Sequence, residues 1–430
     1  MSPTFSALSV RNYRIYAMGG LVSNIGTWLQ NTAQAWLVLQ LTGSGAALGI
    51  TVALQLLPSL LFSPIAGVLA DRMSKRRLLA LMQVGMALPA GVLGILAVTG
   101  LVEPWHVYVL TFVFGSARAF EAPARQSFVS EMVDIERLAN AVSLNSASFN
   151  SGRLIGPGLA GLLIAAFGSG VDATGWVIVI NALSYGFTLL ALVVMDGTAL
   201  HRPPMAERGR GAVREGLRYV RSRPDLLLLF TCVFFLGAFG MNFQITSALM
   251  ATEVFGKGAG EFGVLGSILA IGSLAGALLA ARRSHPRLRF IVGAGLVFSV
   301  AQMVSGLMPT YWSYAAVLPL VGISVLTTAT TANALIQMTS APSMRGRVVS
   351  LYLMVFLGSV PLGAPIIGWF GEHLGGRAAL VISGATVGLG IGVAGLAYAR
   401  VRHVSLRSLV PRWPLRHHLV DDGLDQHPGA

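Results

Sequence analysis

Charged residues are scarce in this 430-residue sequence, and there is only one cysteine. Asp, Glu, Lys and Arg make up 11% of the chain, whereas a soluble domain contains about 25%. Hydrophobic residues reach 54%, so the composition predicts a chain whose surface is largely covered by membrane lipid. The lone thiol of Cys232 excludes an intramolecular disulfide, and we interpret this residue as a small buried hydrophobe.

Acidic residues are fewer than basic ones, 17 against 30, which gives a formal net charge of +13. The basic residues lie in short clusters between apolar segments, as membrane topology signals do, so we expect no nucleic-acid partner. The sequence contains no P-loop and no nucleophile elbow, and its apolar segments hold no metal-ligand cluster. We therefore expect neither an enzyme nor an ATP-driven pump, and neither a cofactor nor a metal.

Apolar stretches of roughly 20 residues recur along the sequence, each long enough to cross a hydrocarbon core about 30 Å thick. Because backbone polar groups in lipid must be satisfied within the segment, we predict an all-α integral membrane fold. The twelve predicted spans are residues 15–40, 46–70, 78–99, 105–124, 141–168, 174–195, 226–252, 260–281, 288–308, 312–338, 348–371 and 376–399.

A basic, proline-containing segment separates the spans into two groups of six, and a weak internal repeat supports this division. Gly156-Pro157 in span five has a counterpart, Ala364-Pro365, in span eleven. Most Lys and Arg residues lie in the loops of one side, which predicts a multi-pass protein of the inner (plasma) membrane with both termini in the cytoplasm. The predicted parts are an N-terminal six-helix bundle (1–195), a cytoplasmic loop (196–225), a pseudo-symmetric C-terminal bundle (226–399) and a disordered cytoplasmic tail (400–430).

Spans one, four, seven and ten each carry polar side chains on one helix face. Polar groups are costly within a bilayer, so the four stripes together indicate a shared aqueous cavity, although any single group serves equally well as a contact between helices. The aromatic residues beside them favour an amphipathic small-molecule substrate. The predicted cavity-lining residues are Asn24, Thr27, Trp28, Asn31, Gln34, Phe239, Asn242, Thr246, Thr330, Asn333 and Gln337.

The loop after span two reads Gly67-Val-Leu-Ala-Asp71-Arg72-Met-Ser-Lys-Arg76-Arg77. It resembles the signature loop of the major facilitator superfamily, Gly-x-Leu-x-Asp-Arg-x-Gly-Arg-Arg, with serine in place of one glycine. The resemblance implies the major facilitator fold and a secondary transporter that works by alternating access. It also implies that Asp71, Arg72 and Arg76 latch the cytoplasmic gate near the N-terminus of the eleventh helix. Alternatively, Arg76 and Arg77 are only topology signals.

Span five contains Gly152-Arg-Leu-Ile-Gly156-Pro157-Gly-Leu-Ala-Gly161, which looks like a superfamily motif associated with exporters that exchange substrate for protons. Small residues let helix backbones touch, and proline adds a kink. The stretches 117–126, 138–145 and 242–256 resemble the enterobactin-exporter-like branch, which includes macrolide-efflux-type proteins. This resemblance implies proton-coupled efflux of a siderophore or drug-like molecule. The alternatives are an uptake symporter on the same fold and, less in keeping with the short loops, a non-transporting membrane sensor.

A proton-coupled exporter requires an ionisable group that is alternately loaded and empty within the cavity. Glu121 follows Arg118 by three residues, so the two residues can pair on one face of span four, and we expect them to form a coupling pair. The alternatives are a static ion pair at the gate, and coupling through Glu253 at the outer end of span seven. We expect a monomer in membrane lipid, with protons as the coupling ion.

Overall fold

The computed structural model describes residues 3–201, 212–282 and 287–402, which are almost entirely helical and contain no strand within these ranges. A short 3-10 helix, Pro3–Ser9, precedes the first long helix. The α-helices are α1 (Arg11–Thr42), α2 (Gly45–Arg72), α3 (Lys75–Val98), α4 (Pro104–Met132), α5 (Ile135–Ala166), α6 (Val171–Val194), α7 (Ala212–Arg221), α8 (Pro224–Phe235), α9 (Phe243–Leu249), α10 (Ala259–Ala281), α11 (Leu288–Leu307), α12 (Tyr311–Thr339) and α13 (Arg345–Arg402).

Eight helical stretches in the described ranges are long and apolar enough to cross a membrane. One of them, Pro224–Val254, joins α8 and α9 through two π-helical turns. Another lies in α13, where the non-helical Gly375 (φ 84°, ψ 159°) divides the two predicted spans. The helices α1, α4 and α5 have 32, 29 and 32 residues, so they are long enough to cross as well, but they carry more polar side chains. The all-α membrane architecture is confirmed, whereas the number twelve stays a prediction.

The helices pack in two groups, α1 to α6 and α8 to α13. In the first group α1 packs on α5 and α6, and α3 packs on α4 and α6. In the second, α12 packs on α10 and α11, and α13 packs on α8 and α11. The groups meet along two pairs of helices, α2 with α13 and α5 with α10. The predicted domain bounds stay a prediction, and residues 202–211 of the central loop and 403–430 of the tail lie outside the described residues.

Glycine allows the α2 and α13 backbones to touch at one end of the molecule. A Cβ atom on Gly45 would lie only 2.7 Å from the carbonyl oxygen of Gly368. Beside this contact, the Ser44 hydroxyl and the Ala46 amide, the latter at 3.0 Å, both donate hydrogen bonds to the carboxylate of Glu372. The two helix groups are therefore joined at this end, which we call the Ser44–Glu372 end.

Candidate functional site

A small polar cavity lies among α1, α3, α4, α5 and α6. Its volume is about 40 Å³, which is enough for about three water molecules. The cavity lining includes five residues that the sequence predicts as site residues, namely Asn24, Thr27, Trp28, Arg118 and Glu121. The structure thus brings the polar stripes of α1 and α4 together within the first helix group.

A buried ion pair forms one wall of the cavity. The Nε of Arg125 lies 3.2 Å from Oε1 of Glu121, and only 5% of Glu121 is exposed. Nη1 of Arg125 also donates to Oδ1 of Asn24 at 3.1 Å, and Nδ2 of Asn24 donates to the hydroxyl of Ser148 at 2.9 Å. This network connects α4, α1 and α5, and it gives the buried carboxylate a charged partner, without which its burial would be costly.

The observed pairing corrects the prediction from spacing. Glu121 pairs with Arg125, one helical turn after it, and not with Arg118. Both spacings place an arginine on the same helix face, so spacing alone did not decide between them. Arg118 lines the cavity and forms no hydrogen bond or ion pair with any residue that the structure describes.

A second arginine, Arg153 on α5, lies against the aromatic ring of Trp28. Its guanidinium carbon is 5.8 Å from the centre of the ring, which is within range of a cation–π contact. The edge of the same indole contacts Phe149, with 5.6 Å between the ring centres. The indole Nε1 is buried and has no hydrogen-bond partner in the described part of the chain. Arg153 and Trp28 thus extend the positively charged and aromatic wall of the cavity.

Nine cavity residues were not selected from the sequence, among them Gln83, Arg125 and Tyr185. The Tyr185 hydroxyl lies 3.1 Å from Oγ1 of Thr27, which connects α6 to α1. Gln83 is isolated in an otherwise apolar span, so no periodic pattern marks it. Tyr185 follows Asn181 by four residues and precedes Thr188 by three, so helical spacing places it on a polar face of its span. The sequence does mark Arg125, because it follows Glu121 by four residues. Like the spacing of three between Arg118 and Glu121, a spacing of four allows an ion pair on a helix.

Two residues of the predicted stripe on α1 serve as contacts between helices instead. Nε2 of Gln55 on α2 donates to Oδ1 of Asn31 at 2.9 Å. Nε2 of Gln34 donates to the hydroxyl of Thr111 on α4, also at 2.9 Å. Both α1 residues are buried outside the cavity lining, so they correspond to the alternative in which intramembrane polar groups hold helices together.

The predicted cavity residues of the second helix group do not line this cavity. Phe239 stacks on Phe235, with 6.1 Å between ring centres. Asn242 is buried where the helix is interrupted between α8 and α9, and its Nδ2 donates to the carbonyl of Ala238 at 2.6 Å. The hydroxyl of Thr246 donates to the carbonyl of Asn242 at 3.3 Å.

On α12 the predicted stripe is more accessible. Nε2 of the exposed Gln337 donates to Oδ1 of Asn333 at 3.0 Å, and Thr330 is half-buried. These residues, like those of α8 and α9, belong to the second helix group. One cavity shared by all four stripes therefore stays a prediction.

The remaining coupling candidate, Glu253, is exposed in the last π-helical turn before α10. Its carboxylate is close enough to Glu372 for the two negative charges to interact. Glu253 thus lies at the Ser44–Glu372 end, apart from the cavity that contains Glu121.

The residues of the predicted latch lie in the C-terminal part of α2 and the first turn of α3. The side chain of Asp71 lies outside the described residues, as does the burial of Gly67, and Arg72 and Arg77 are exposed. Arg76 donates to two carbonyl oxygens at the C-terminal end of α6, at 2.6 and 3.1 Å, where the helix leaves its carbonyls without internal partners. Arg76 therefore makes its bonds within the first helix group, and a latch to α13 stays a prediction.

The glycine motif of α5 faces two different helices. A Cβ atom on Gly152 would lie 2.8 Å from the carbonyl oxygen of Asn24, and Gly156 is equally close to Trp28 on α1. Gly161, one turn further on, approaches the backbone of α10 at its first residues. The motif thus packs α5 against α1 within its own group and against α10 of the other group.

A hydroxyl from α10 enters the hydrogen-bond ladder of α5 beside Pro157. The hydroxyl of Ser267 donates to the carbonyl of Leu154 at 2.7 Å and accepts from the amide of Gly158 at 3.1 Å. These two α5 groups are four residues apart and would bond to each other in a regular helix. Ser267 therefore bonds to both groups beside the proline and also joins the two helix groups.

Comparison with known proteins is consistent with this architecture. The family model described as transmembrane secretion effector matches residues 2–430. The multidrug efflux pump Tap of Mycolicibacterium fortuitum is 29% identical and covers 90% of this chain and 96% of its own length. Macrolide efflux protein A of Streptococcus pyogenes is 23% identical over 87% of this chain and 93% of its own. The staphyloferrin A transporter of Staphylococcus aureus is 23% identical over 79% and 84%.

Solved structures of other transporters share the fold. A bacterial homologue of the human lysosomal transporter Spinster, in an inward-facing and occupied conformation, has a TM-score of 0.69 at 15% identity and covers 97% of this chain and 100% of its own. A D-xylose-proton symporter has a TM-score of 0.68 at 13% identity and covers 89% and 96%. The helical membrane fold and the full-length family match agree, and the chain belongs to the transmembrane secretion effector family of major facilitator transporters, which are not enzymes.

Proposed function

We propose that this chain is a proton-coupled exporter of a small amphipathic molecule, drug-like or siderophore-like. The observation that carries the proposal is the Glu121–Arg125 pair, which is buried in the membrane-spanning α4 yet borders a cavity with room for water. Ionisable residues within a membrane are rare because they are costly, and they mark proton and substrate pathways. The printed names of two relatives, a multidrug efflux pump and a macrolide efflux protein, support the direction of transport.

In the proposed cycle Glu121 carries the proton. When the cavity opens to the outside, Glu121 accepts a proton and becomes neutral, which weakens its bond to Arg125. When the cavity opens to the inside, the proton leaves to the cytoplasm and the ion pair forms again. One proton thus enters the cell in each complete cycle, while the substrate leaves the cell in the opposite half of the cycle.

Alternating access arises from rocking of α1–α6 against α8–α13. The groups pack against each other through α2 with α13 and through α5 with α10, and these two contacts act as the axes about which the groups rotate. With both termini in the cytoplasm of the plasma membrane, the Ser44–Glu372 end faces outward. Asp71, Arg72 and Arg76 then lie at the cytoplasmic gate, and we propose that they stabilise the outward-open state of a monomer.

The test uses the purified full-length chain in liposomes, with ethidium, labelled erythromycin and a catecholate siderophore as probes. We expect inside-out oriented protein to accumulate a probe in an acidic vesicle lumen, and a protonophore to abolish the accumulation. Protein-free liposomes are the control. Accumulation only by right-side-out protein with acid outside would instead establish an uptake symporter. Binding without accumulation in either orientation would favour the non-transporting sensor.

A further inference from the structure

We infer that the cavity among α1, α3, α4, α5 and α6 binds a carboxylate group of the transported molecule, with Arg118 as its direct partner. This inference rests on the proposed transport function and narrows its substrate class to molecules that carry an acidic group. It starts from the charges in and beside the cavity, which do not balance.

Positive charge exceeds negative charge around the cavity. Arg118 and Arg125 line it, Arg153 lies against its Trp28 wall, and Glu121 is the one carboxylate among the lining residues that the structure describes. Only Arg125 forms an ion pair with Glu121. Glu121 also attracts Arg118 electrostatically, whereas Arg153 has no counter-charge from the described chain. Three guanidinium groups thus share one carboxylate, which leaves two positive charges in excess in a region where uncompensated charge is strongly disfavoured.

Arg118 is the arginine best placed to bind an anion. It projects from the middle of α4, Pro104–Met132, and it makes no hydrogen bond or ion pair in the described part of the protein. A guanidinium carries five N–H donors in a planar fork that matches the two oxygens of a carboxylate. The Glu121 carboxylate, which is held by Arg125, leaves this fork free.

The donors of the cavity exceed its acceptors because of Arg118. The indole N–H of Trp28 is buried without a partner and lines the same cavity as Arg118. The buried Oε1 of Gln83, which lacks a donor, offsets this one N–H group, so the guanidinium of Arg118 leaves donors in excess over acceptors. An ionised carboxylate accepts hydrogen bonds and donates none, so it suits this excess of donors.

The size of the cavity restricts what enters it. A volume of about 40 Å³ is far below the roughly 300 Å³ or more of pockets that enclose a whole drug-sized ligand. The cavity therefore admits the acidic group alone, while the rest of the molecule lies outside it. The side chains of Trp28 and Phe149, which also line the cavity, supply apolar surface next to the acidic group.

Equilibrium dialysis of the full-length protein in a nonionic detergent tests the inference. The probes are three aryl-alkyl acids of increasing length, including pyrenebutyrate, and the neutral amide of each. We expect at least one acid to bind about tenfold more tightly than its amide or better, which corresponds to about 1.4 kcal/mol. Arg118→Gln should reduce the affinity for that acid to the level of the amide and leave amide binding unchanged, whereas Arg118→Lys should retain part of the preference.

Arg137→Gln is the matched control, because Arg137 lies on α5 with 43% of its side chain exposed and away from the cavity. Equal affinity for every acid and amide, or no binding of any probe, would overturn the inference. So would displacement of the acid by phosphatidylglycerol at the same concentration, because the site would then be a lipid site. If Arg118→Gln fails to fold, the wild-type acid and amide affinities still decide.

The dialysis experiment and the liposome transport assay together separate the two proposals. Proton-driven export of neutral dyes without any preference for acids would leave the exporter intact and remove the carboxylate site. Selective binding of acids without proton-driven transport would leave the site and remove the proton-coupled exporter.

Discussion

Glu121 combines a charge with almost complete burial, and its neighbours determine what that costs. Its partner Arg125 is also tied to Asn24, so the ion pair is held from two helices. Removing one member of a buried pair leaves the other uncompensated and destabilises the fold, whereas neutralising Glu121 by a proton happens in place and is reversible. A carboxylate next to water-accessible space therefore suits proton exchange better than one sealed in an apolar core.

Glu121→Gln should abolish proton-driven accumulation while leaving solute exchange in the absence of a gradient. Glutamine keeps the size and the hydrogen-bonding capacity towards Arg125 but cannot take up and release a proton. The measurement compares accumulation under a proton gradient with counterflow of the same probe across the same vesicles. Glu136→Gln, an exposed change in the first turn of α5, is the control and should alter neither. Gradient-driven accumulation that survives in Glu121→Gln would remove this residue from the coupling step.

The sequence predicted which residues belong to this site better than it predicted their hydrogen-bond partners. The spacing of Asn24 and Thr27 placed them on one face of α1, with the aromatic Trp28 beside them, and all three line the cavity. The same spacing also selected Asn31 and Gln34, which bond to neighbouring helices instead. Periodicity reports which face of a helix is polar, but which helix lies opposite each turn depends on tertiary packing.

At the scale of the elements, α5 and α10 pack closely against each other in a way that still allows the two helix groups to move. Gly263 and Gly266 on α10 lie against Pro157, so the helices touch without bulky side chains between them. Ser267 forms hydrogen bonds with a carbonyl and an amide of α5 beside its proline. Small residues allow two helices to pivot against each other while their polar groups stay paired.

Ser267→Ala should lower the free energy of unfolding by about 1 kcal/mol, because hydrogen bonds between membrane helices contribute about 0.6 kcal/mol on average and two are lost. These two bonds join the Ser267 hydroxyl to the amide of Gly158 and the carbonyl of Leu154. Thermal unfolding of the purified protein in detergent measures the change. Ser350→Ala is the control, since this exposed hydroxyl bonds only within α13. Equal stability of the two variants would show that the bridge contributes nothing.

Helix positions followed from the apolar runs, because a bilayer demands a length of about 20 residues from each crossing. The interruption between α8 and α9 did not, since it depends on contacts from other elements. There Ser383 of α13 donates to the carbonyl of Phe239, and Asn242 donates to the carbonyl of Ala238. Carbonyls that are taken up by side chains are released from the regular helical ladder, and no local sequence pattern contains the distant partner.

At the scale of the molecule, hydrogen bonds to a charged group join the two helix groups at the Ser44–Glu372 end. There a carboxylate from one group accepts hydrogen bonds from a hydroxyl and an amide of the other, beside touching glycine backbones. The internal repeat predicted two halves, but it did not predict which end joins them. A sequence encodes every state of the transport cycle, whereas one structure shows a single state.

If the groups rock about their contacts, fixing the Ser44–Glu372 end should stop transport without unfolding the protein. In a Cys232→Ser background, which removes the only native thiol, Ser44→Cys and Glu372→Cys supply one thiol on each group. We expect a short bifunctional thiosulfonate to link them, to halt both gradient-driven accumulation and counterflow, and to be reversed by reductant. Each single-cysteine variant, treated identically, should keep transporting.

The matched control is a bridge within one group. Gln40 of α1 donates to the carbonyl of Ser169, in the turn between α5 and α6, at 2.8 Å, so thiols at these two positions tie together parts that move as one body in the proposed cycle. That bridge should leave transport at its normal rate, because rocking changes no distance within the first group. Transport by the Ser44–Glu372 bridged protein would mean that this end never opens, and substrate would then have to pass without alternating access. Arrest by both bridges would mean instead that the first group deforms internally during each cycle, and the hypothesis of rigid-body rocking would be wrong.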